Sequence, residues 1–196
     1  MKYFVDSANI SEIKKWLPFI DGVTVNPFLL IKEGLTVIDF LSSIRNLHIK
    51  KFVPIFSIDS YEKIRTEVGN DFICKVPMSL EYHSLIKELK DKNQIVAATT
   101  VYDIIQLNQA IELGCDYSMV YIAKNEDENF LYNAGKIKKQ NILLVGASFR
   151  TKNHVKNAIL AGMDYSTIPP DILSLAFSNE NVNIEIDKMK GNFNKI

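Results

Sequence analysis

The stretch FICKVPMSLEYHSLIKEL, residues 72–89, holds one complete structural unit. Its first half is apolar without alternation: Phe72, Ile73, Cys74, Val76 and Pro77 surround Lys75. A short continuous run of this kind suits a strand covered on both faces. Its second half carries Tyr82, Leu85, Ile86 and Leu89 at the spacing of a single helix face. A strand leading into an amphipathic helix is a βα unit, and the same pairing recurs along the chain. Strand candidates lie at residues 3–6, 22–26, 52–57, 72–77, 95–99, 117–123, 142–147 and 165–168.

The intervening segments carry helical faces. They are Ile10, Ile13 and Leu17; Val37, Phe40, Leu41 and Ile44 behind Thr36 as N-cap; and Tyr61, Ile64 and Val68. Further on come Ile104, Leu107 and Ile111 ending at Gly114; Phe130, Ala134 and Ile137; and Val155 and Ile159 ending at Gly162. A last helix starts near Pro169 and Pro170, since proline is tolerated in a first turn. Repeated βα units build either an open doubly wound sheet or a closed barrel, and eight units favour the barrel. The expected fold is therefore α/β, a compact (β/α)8 TIM barrel forming one domain over residues 1–196. That length falls just under the about 200 residues usual for such barrels, so the loops must be short.

Lysine and arginine total 23, as do aspartate and glutamate. Such a balance argues against nucleic acid or an anionic membrane as partner, because both demand a basic excess. No apolar run approaches the roughly 20 residues that span a bilayer, and Asp6 interrupts any signal-peptide core. Cys74 and Cys115 lack metal-ligand spacing and read as buried free thiols of a reducing compartment. The expectation is a cytoplasmic protein.

In a βα barrel the reactive groups sit where the strands end. Those ends supply Asp6, Thr24 and Asn26, Lys75, Thr99, Tyr121 and Lys124, and Ser148 with Arg150. Lys75 is the unusual member, because lysine is almost never fully buried unless paired or employed. A structural pair with Asp6 is one reading. The other is a nucleophile: burial disfavours the ammonium form, and the free amine attacks a carbonyl to form a Schiff base. That chemistry needs no metal and no cofactor, and His48, His83 and His154 are scattered without forming a ligand set. In GASFRTKNHV, residues 146–155, small residues lead through Ser148 and Arg150 into a helix start. A helix N-terminus with a hydroxyl and a guanidinium makes a phosphate cradle, to which Lys124 adds a second charge.

With these residues in place the chain resembles the transaldolase family, in particular the short branch containing fructose-6-phosphate aldolase and the small transaldolases. The resemblance runs collinearly from residue 1 to about residue 175. It is carried by FVDSAN (4–9), GVTVNPFLLIKEG (22–34), ICKVPMSLE (73–81), ATTVYDIIQ (98–106), YSMVYIAK (117–124), GASFRTKNHV and AGMDYSTIPPDIL (161–173). It implies an enzyme of carbohydrate metabolism that makes or breaks the C3–C4 bond of a phosphorylated ketose such as fructose 6-phosphate. Lys75 would be the Schiff-base lysine and Asp6 its proton-transfer partner. Thr24 and Asn26 would hold substrate hydroxyls, Thr99 and Tyr121 the catalytic water, and Lys124, Ser148 and Arg150 the phosphate. The resemblance also implies a pentamer or decamer in which the tail, residues 177–196, packs on a neighbouring subunit.

Lys124 stands where the family usually has arginine, and three further positions depart from the family pattern. Pro54 stands on the third strand where the family has glutamate or glutamine to order the water, Phe28 replaces a serine, and Met119 replaces a small residue. Phe28 and Met119 are expected to reshape the pocket. A phosphosugar-binding or regulatory barrel that has lost turnover is the competing reading.

Overall fold

The structure, a computed structural model, describes residues 1–123, 129–137 and 141–193. Eight parallel strands close into a barrel in the order β1 to β8. They are β1 (Lys2–Asp6), β2 (Gly22–Thr24), β3 (Lys50–Pro54), β4 (Ile73–Pro77), β5 (Val96–Val101), β6 (Tyr117–Tyr121), β7 (Leu143–Ala147) and β8 (Tyr165–Ile168). The helices around them are α1 (Ile10–Trp16), α2 (Pro27–Lys32), α3 (Val37–Ser43), α4 (Ile58–Val68), α5 (His83–Asp91) and α6 (Ile104–Glu112). After these come α7 (Phe130–Ile137), α8 (Lys152–Leu160), α9 (Pro170–Phe177) and α10 (Glu180–Phe193). Closure is made by β1 against β8, with Phe4 opposite Thr167 and Val5 opposite Ile168. Closing the sheet removes both edges, which an open sheet of this length would have to protect.

Strand alternation divides the apolar residues into two cores. Val5, Val23, Val53, Cys74, Val76, Ala98, Val120 and Leu144 turn outward and meet the helices. Phe4, Phe52, Ile73, Ala97, Tyr117, Met119, Val145 and Ala147 turn inward and fill the barrel. Four of the inward rings make a closed layer. Phe4 lies 4.9 Å from Phe52 and 4.6 Å from Tyr165, while Tyr117 lies 5.1 Å from Phe52 and 6.1 Å from Tyr165. Burying each such ring stabilises the fold by about 2 kcal/mol, and together the four floor the barrel. Gly22 makes room for this layer: a Cβ there would lie 2.7 Å from the Lys50 carbonyl and 3.0 Å from the Phe4 ring.

Side-chain caps set where strands give way to helices. Asn26 accepts from the Leu29 amide, Thr36 and Asp39 form a reciprocal capping box, and so do Ser57 and Ser60. Asp103 and Thr151 cap α6 and α8. Two expected strands are displaced for this reason. The second ends at Thr24 rather than Asn26, because Asn26 is a helix cap. The third spans Lys50–Pro54 rather than 52–57, because Ser57 starts α4. The sixth ends at Tyr121, short of 123. The short helix α2, with Pro27 in its first turn, had no counterpart in the sequence reading. No helix of the described residues is long and apolar enough to cross a membrane.

Candidate active site

The carboxyl ends of the strands converge on a cavity of about 130 Å³ lined by Asp6, Thr24, Asn26, Lys75, Thr99, Met119, Tyr121, Ala147, Ser148 and Thr167. Seven of the residues expected at the site are among them: Asp6, Thr24, Asn26, Lys75, Thr99, Tyr121 and Ser148. Strand order explains the convergence. Asp6 pairs with Thr24 across β1 and β2, Lys75 with Pro54 and Ala97 on either side of β4, and Tyr121 with Ala147 across β6 and β7.

Lys75 is 8% exposed and sits one inward position above Ile73. Its amine donates to the Val25 carbonyl. Burial pulls its pKa down from 10.5 to about 8, opposed by the negative charge of Asp6. Asp6 moves the opposite way: burial raises its carboxyl above the ordinary range, while the Lys75 charge and the Thr24 hydroxyl pull it partly back. Desolvation thus drives acid and amine toward each other, disfavouring the charged form of each. Cys74, the next residue, faces the outer core, and burial pushes its thiol up to about 12, leaving it inert.

The other walls are set by local backbone features. A register shift between Ala98 and Val101 breaks the β5–β6 ladder, and inside it Thr100 takes a left-handed φ of 59°. Beside it, Thr99 hydrogen-bonds the Tyr121 phenol, whose pKa burial raises and this bond partly restores. The Tyr102 ring packs edge-on against Tyr121 at 5.0 Å. Ser148 follows β7 with a φ of 63°. Asn26 spends its side-chain oxygen on the Leu29 amide at 3.0 Å, which leaves its amide nitrogen as the donor available to the cavity.

Arg150 is exposed and does not line the cavity; its backbone amide donates to His154 Nδ1 at 3.2 Å. Lys124 lies outside the described residues. Phe28 does not narrow the pocket: it stands on the rim at the start of α2, 84% exposed, whereas Met119, 1% exposed, does line it. Pro54 is buried beside Lys75 in register and brings no polar side chain to that wall.

Thr167 belongs to the site and was absent from the expected set. Its hydroxyl lies 2.6 Å from that of Thr24, which in turn donates to Asp6 Oδ1 at 2.8 Å. The available signal was alternation in YSTI, which puts Thr167 on the inward face with Tyr165. A larger cleft, about 560 Å³, opens at the opposite end of the barrel. Its buried amine, Lys51, is tied up in an ion pair with Asp71 at 2.6 Å, and Asp21 is held by Lys2 at 3.0 Å. Chemistry belongs to the smaller cavity.

Comparison with known proteins supplies the family. A probable fructose-6-phosphate aldolase of Streptococcus pneumoniae is 30% identical, the match covering 95% of this chain and 93% of that protein. A probable transaldolase of Bartonella quintana is 32% identical, over 88% and 87%. Among solved structures, a designed cube-shaped, highly porous cage superposes with a TM-score of 0.64 at 8% identity, over 86% of this chain and 62% of that one, a likeness of fold alone. Residues 56–195 match the family model described as Transaldolase/Fructose-6-phosphate aldolase. A barrel with a buried lysine facing a carboxyl at the carboxyl ends of its strands, and these matches along its length, make the chain a member of the transaldolase/fructose-6-phosphate aldolase family.

Proposed function

We propose that the protein is a Schiff-base aldolase or transaldolase that makes or breaks the C3–C4 bond of a phosphorylated ketose, with Lys75 as nucleophile. The observation that supports this most is the opposed displacement of Lys75 and Asp6, both by desolvation, across one small cavity. The Lys75 amine adds to the C2 carbonyl, and the carbinolamine loses water as protons pass through Asp6 and a water held by Thr99 and Tyr121. In the iminium, the C4 hydroxyl proton passes to the Asp6 carboxylate and the C3–C4 bond breaks. Its electron pair moves to nitrogen, leaving an enamine on Lys75 and a free aldehyde. Protonation at C3 and hydrolysis complete an aldolase cycle; attack of the enamine on a second aldehyde completes a transaldolase cycle.

In this reading Thr24 and the Asn26 amide hold donor hydroxyls. A cavity of about 130 Å³, narrowed by Met119, suits a three-carbon dihydroxyacetone unit inside, with the phosphorylated remainder extending past Ser148. Tyr121 favours simple aldol chemistry by family pattern. Nothing in the fold or the comparisons favours a barrel without turnover.

Borohydride trapping with fructose 6-phosphate or dihydroxyacetone tests the reading. The expected product is a mass increment on the peptide bearing Lys75, lost in Lys75→Ala together with aldehyde release, a fall on the order of 10⁴-fold. No increment across a panel of ketoses would sink it.

The same reading extends to assembly and location. We infer a cytoplasmic homo-oligomer in which α10 packs on a neighbouring subunit. Support comes from α10 itself, where Val182, Ile186, Met189 and Phe193 recur at helical spacing and are 51%, 40%, 65% and 73% exposed. Met189→Asp is expected to lower the mass measured by light scattering toward that of one chain; an unchanged mass contradicts the role of α10.

A further inference from the structure

The Thr24 hydroxyl has two neighbours and one proton. Asp6 Oδ1 lies 2.8 Å from it and Thr167 Oγ1 lies 2.6 Å from it. An ionised carboxylate only accepts, so the Thr24 proton goes to Asp6. The short Thr24–Thr167 contact must then be donated by Thr167, whose own proton is committed to Thr24 Oγ1. The result is a directed chain, Thr167 to Thr24 to Asp6, spanning β8, β2 and β1. Both threonines are nearly sealed, Thr24 at 1% exposed and Thr167 at 4%. Little solvent is at hand to replace either bond.

We propose that Thr167 is a positioning residue for the reaction: its hydroxyl holds Thr24 with its proton on Asp6, and so keeps the Asp6 carboxylate oriented and ready to accept a proton. The proposal rests on the reading of Asp6 as the proton-transfer group. Three features of the geometry support it. The chain terminates on the carboxyl that faces Lys75, not on a backbone group of the scaffold. Thr167 sits at the seam of the barrel, where Phe4–Thr167 and Asp6–Thr24 are register pairs of adjoining ladders, so the three side chains are held by strand pairing. The chain can also reverse. When Asp6 has taken a proton, its hydroxyl can donate to Thr24 and Thr24 to Thr167, so one pair of hydroxyls serves both protonation states of the acid without moving a backbone atom. A methyl group at either position would fill the same space but could do neither.

The decisive variant is Thr167→Val, which preserves shape and removes the hydroxyl, set against Thr167→Ser, which restores the hydroxyl and drops the methyl. Each is examined for the rate of borohydride-trapped adduct formation on Lys75 across pH, with fructose 6-phosphate as probe and Tm recorded in parallel. Thr167→Val is expected to form the adduct roughly tenfold more slowly, a small part of the about 10²- to 10⁴-fold that a placed acid–base group supplies. Hydrogen bonds donated to the ionised carboxylate favour that form, so losing their anchor moves the acidic limb of the profile to higher pH. Thr167→Ser is expected to recover both rate and limb.

Equal loss in Thr167→Val and Thr167→Ser would overturn the proposal, because packing rather than the hydroxyl would then be responsible. So would a Thr167→Val variant with the rate and acidic limb of the unsubstituted protein. Should Thr167→Val lower the Tm below the assay temperature, Thr167→Cys, with a weak donor of similar size, replaces it and is held to the same outcomes. If the unsubstituted protein traps no ketose at all, the failure belongs to the Schiff-base reading and not to Thr167.

Discussion

The two ends of the barrel interior are built from the same strands and differ in one layer of side chains. At the floor Phe4, Phe52, Tyr117 and Tyr165 close a ring of aromatic contacts. Above it, toward the mouth, β1 offers Asp6, β4 Lys75, β5 Thr99, β6 Tyr121 and β8 Thr167. Apolar contacts fill the floor and stabilise it, whereas the mouth holds a carboxyl and an amine whose burial disfavours their charged forms. The difference teaches that the floor is part of the chemistry. It keeps water from reaching Lys75 from below, and without that dryness the amine would revert toward its ordinary pKa of 10.5.

The strongest way to break the comparison is to open the floor. Phe52→Ala removes a fully buried ring and is expected to cost about 3–5 kcal/mol of stability, read as a lower urea midpoint at unchanged slope. In the protein that remains folded, the pH at which Lys75 is trapped should shift upward as water enters. A midpoint shift with an unmoved trapping profile would show that floor and mouth are independent.

A smaller effect is expected from making the mouth resemble the floor. Displacing Lys75 from 10.5 to about 8 corresponds to about 3 kcal/mol of folding free energy forgone at neutral pH. The sign follows from proton counts. Between pH 8 and 10.5 the unfolded lysine holds a proton that the folded one has released, so stability rises with pH through that window and the penalty is complete below it. The pair Lys75→Met with Asp6→Asn, which leaves no lone buried charge, should be inactive yet more stable at pH 7. Its advantage should shrink as pH climbs from 8 to 10.5. Chemical unfolding at pH 7 and pH 10 measures both; an advantage that does not shrink would place the cost elsewhere.

The smallest effect tests stored backbone strain. Thr100, a β-branched residue at φ 59°, sits in the bulge that aims Thr99 at Tyr121. Thr100→Gly should raise stability by about 1 kcal/mol while slowing turnover, because the segment loses the stiffness that holds Thr99. A variant that gains stability with full turnover would show that the strain has no part in positioning.

Much of this was legible in the chain before folding was considered. The unalternating strand around Lys75, the amphipathic helices and the Thr36 cap are local, and local patterns survive in a linear sequence. The errors fell where a partner decides. Lys50 and Lys51 look like loop residues, yet both extend β3, because Lys51 is held by Asp71 at 2.6 Å and Lys50 takes its place opposite Gly22. Asn26 and Ser57 looked like strand residues and are helix caps.

The sequence by itself determined the fold class, the family and the identity of a buried amine among converging polar groups, since each rests on spacing and residue type. Only the tertiary structure decided which of those groups share the cavity. Barrel closure brings β8 against β1, and so delivers Thr167 to Thr24 and Asp6 across 143 residues of chain between the two threonines. The turn after β7 leaves Arg150 outside the cavity that Ser148 lines. Spacing along a chain carries no record of either outcome, because contacts made by ring closure depend on the register of strands that are remote in sequence.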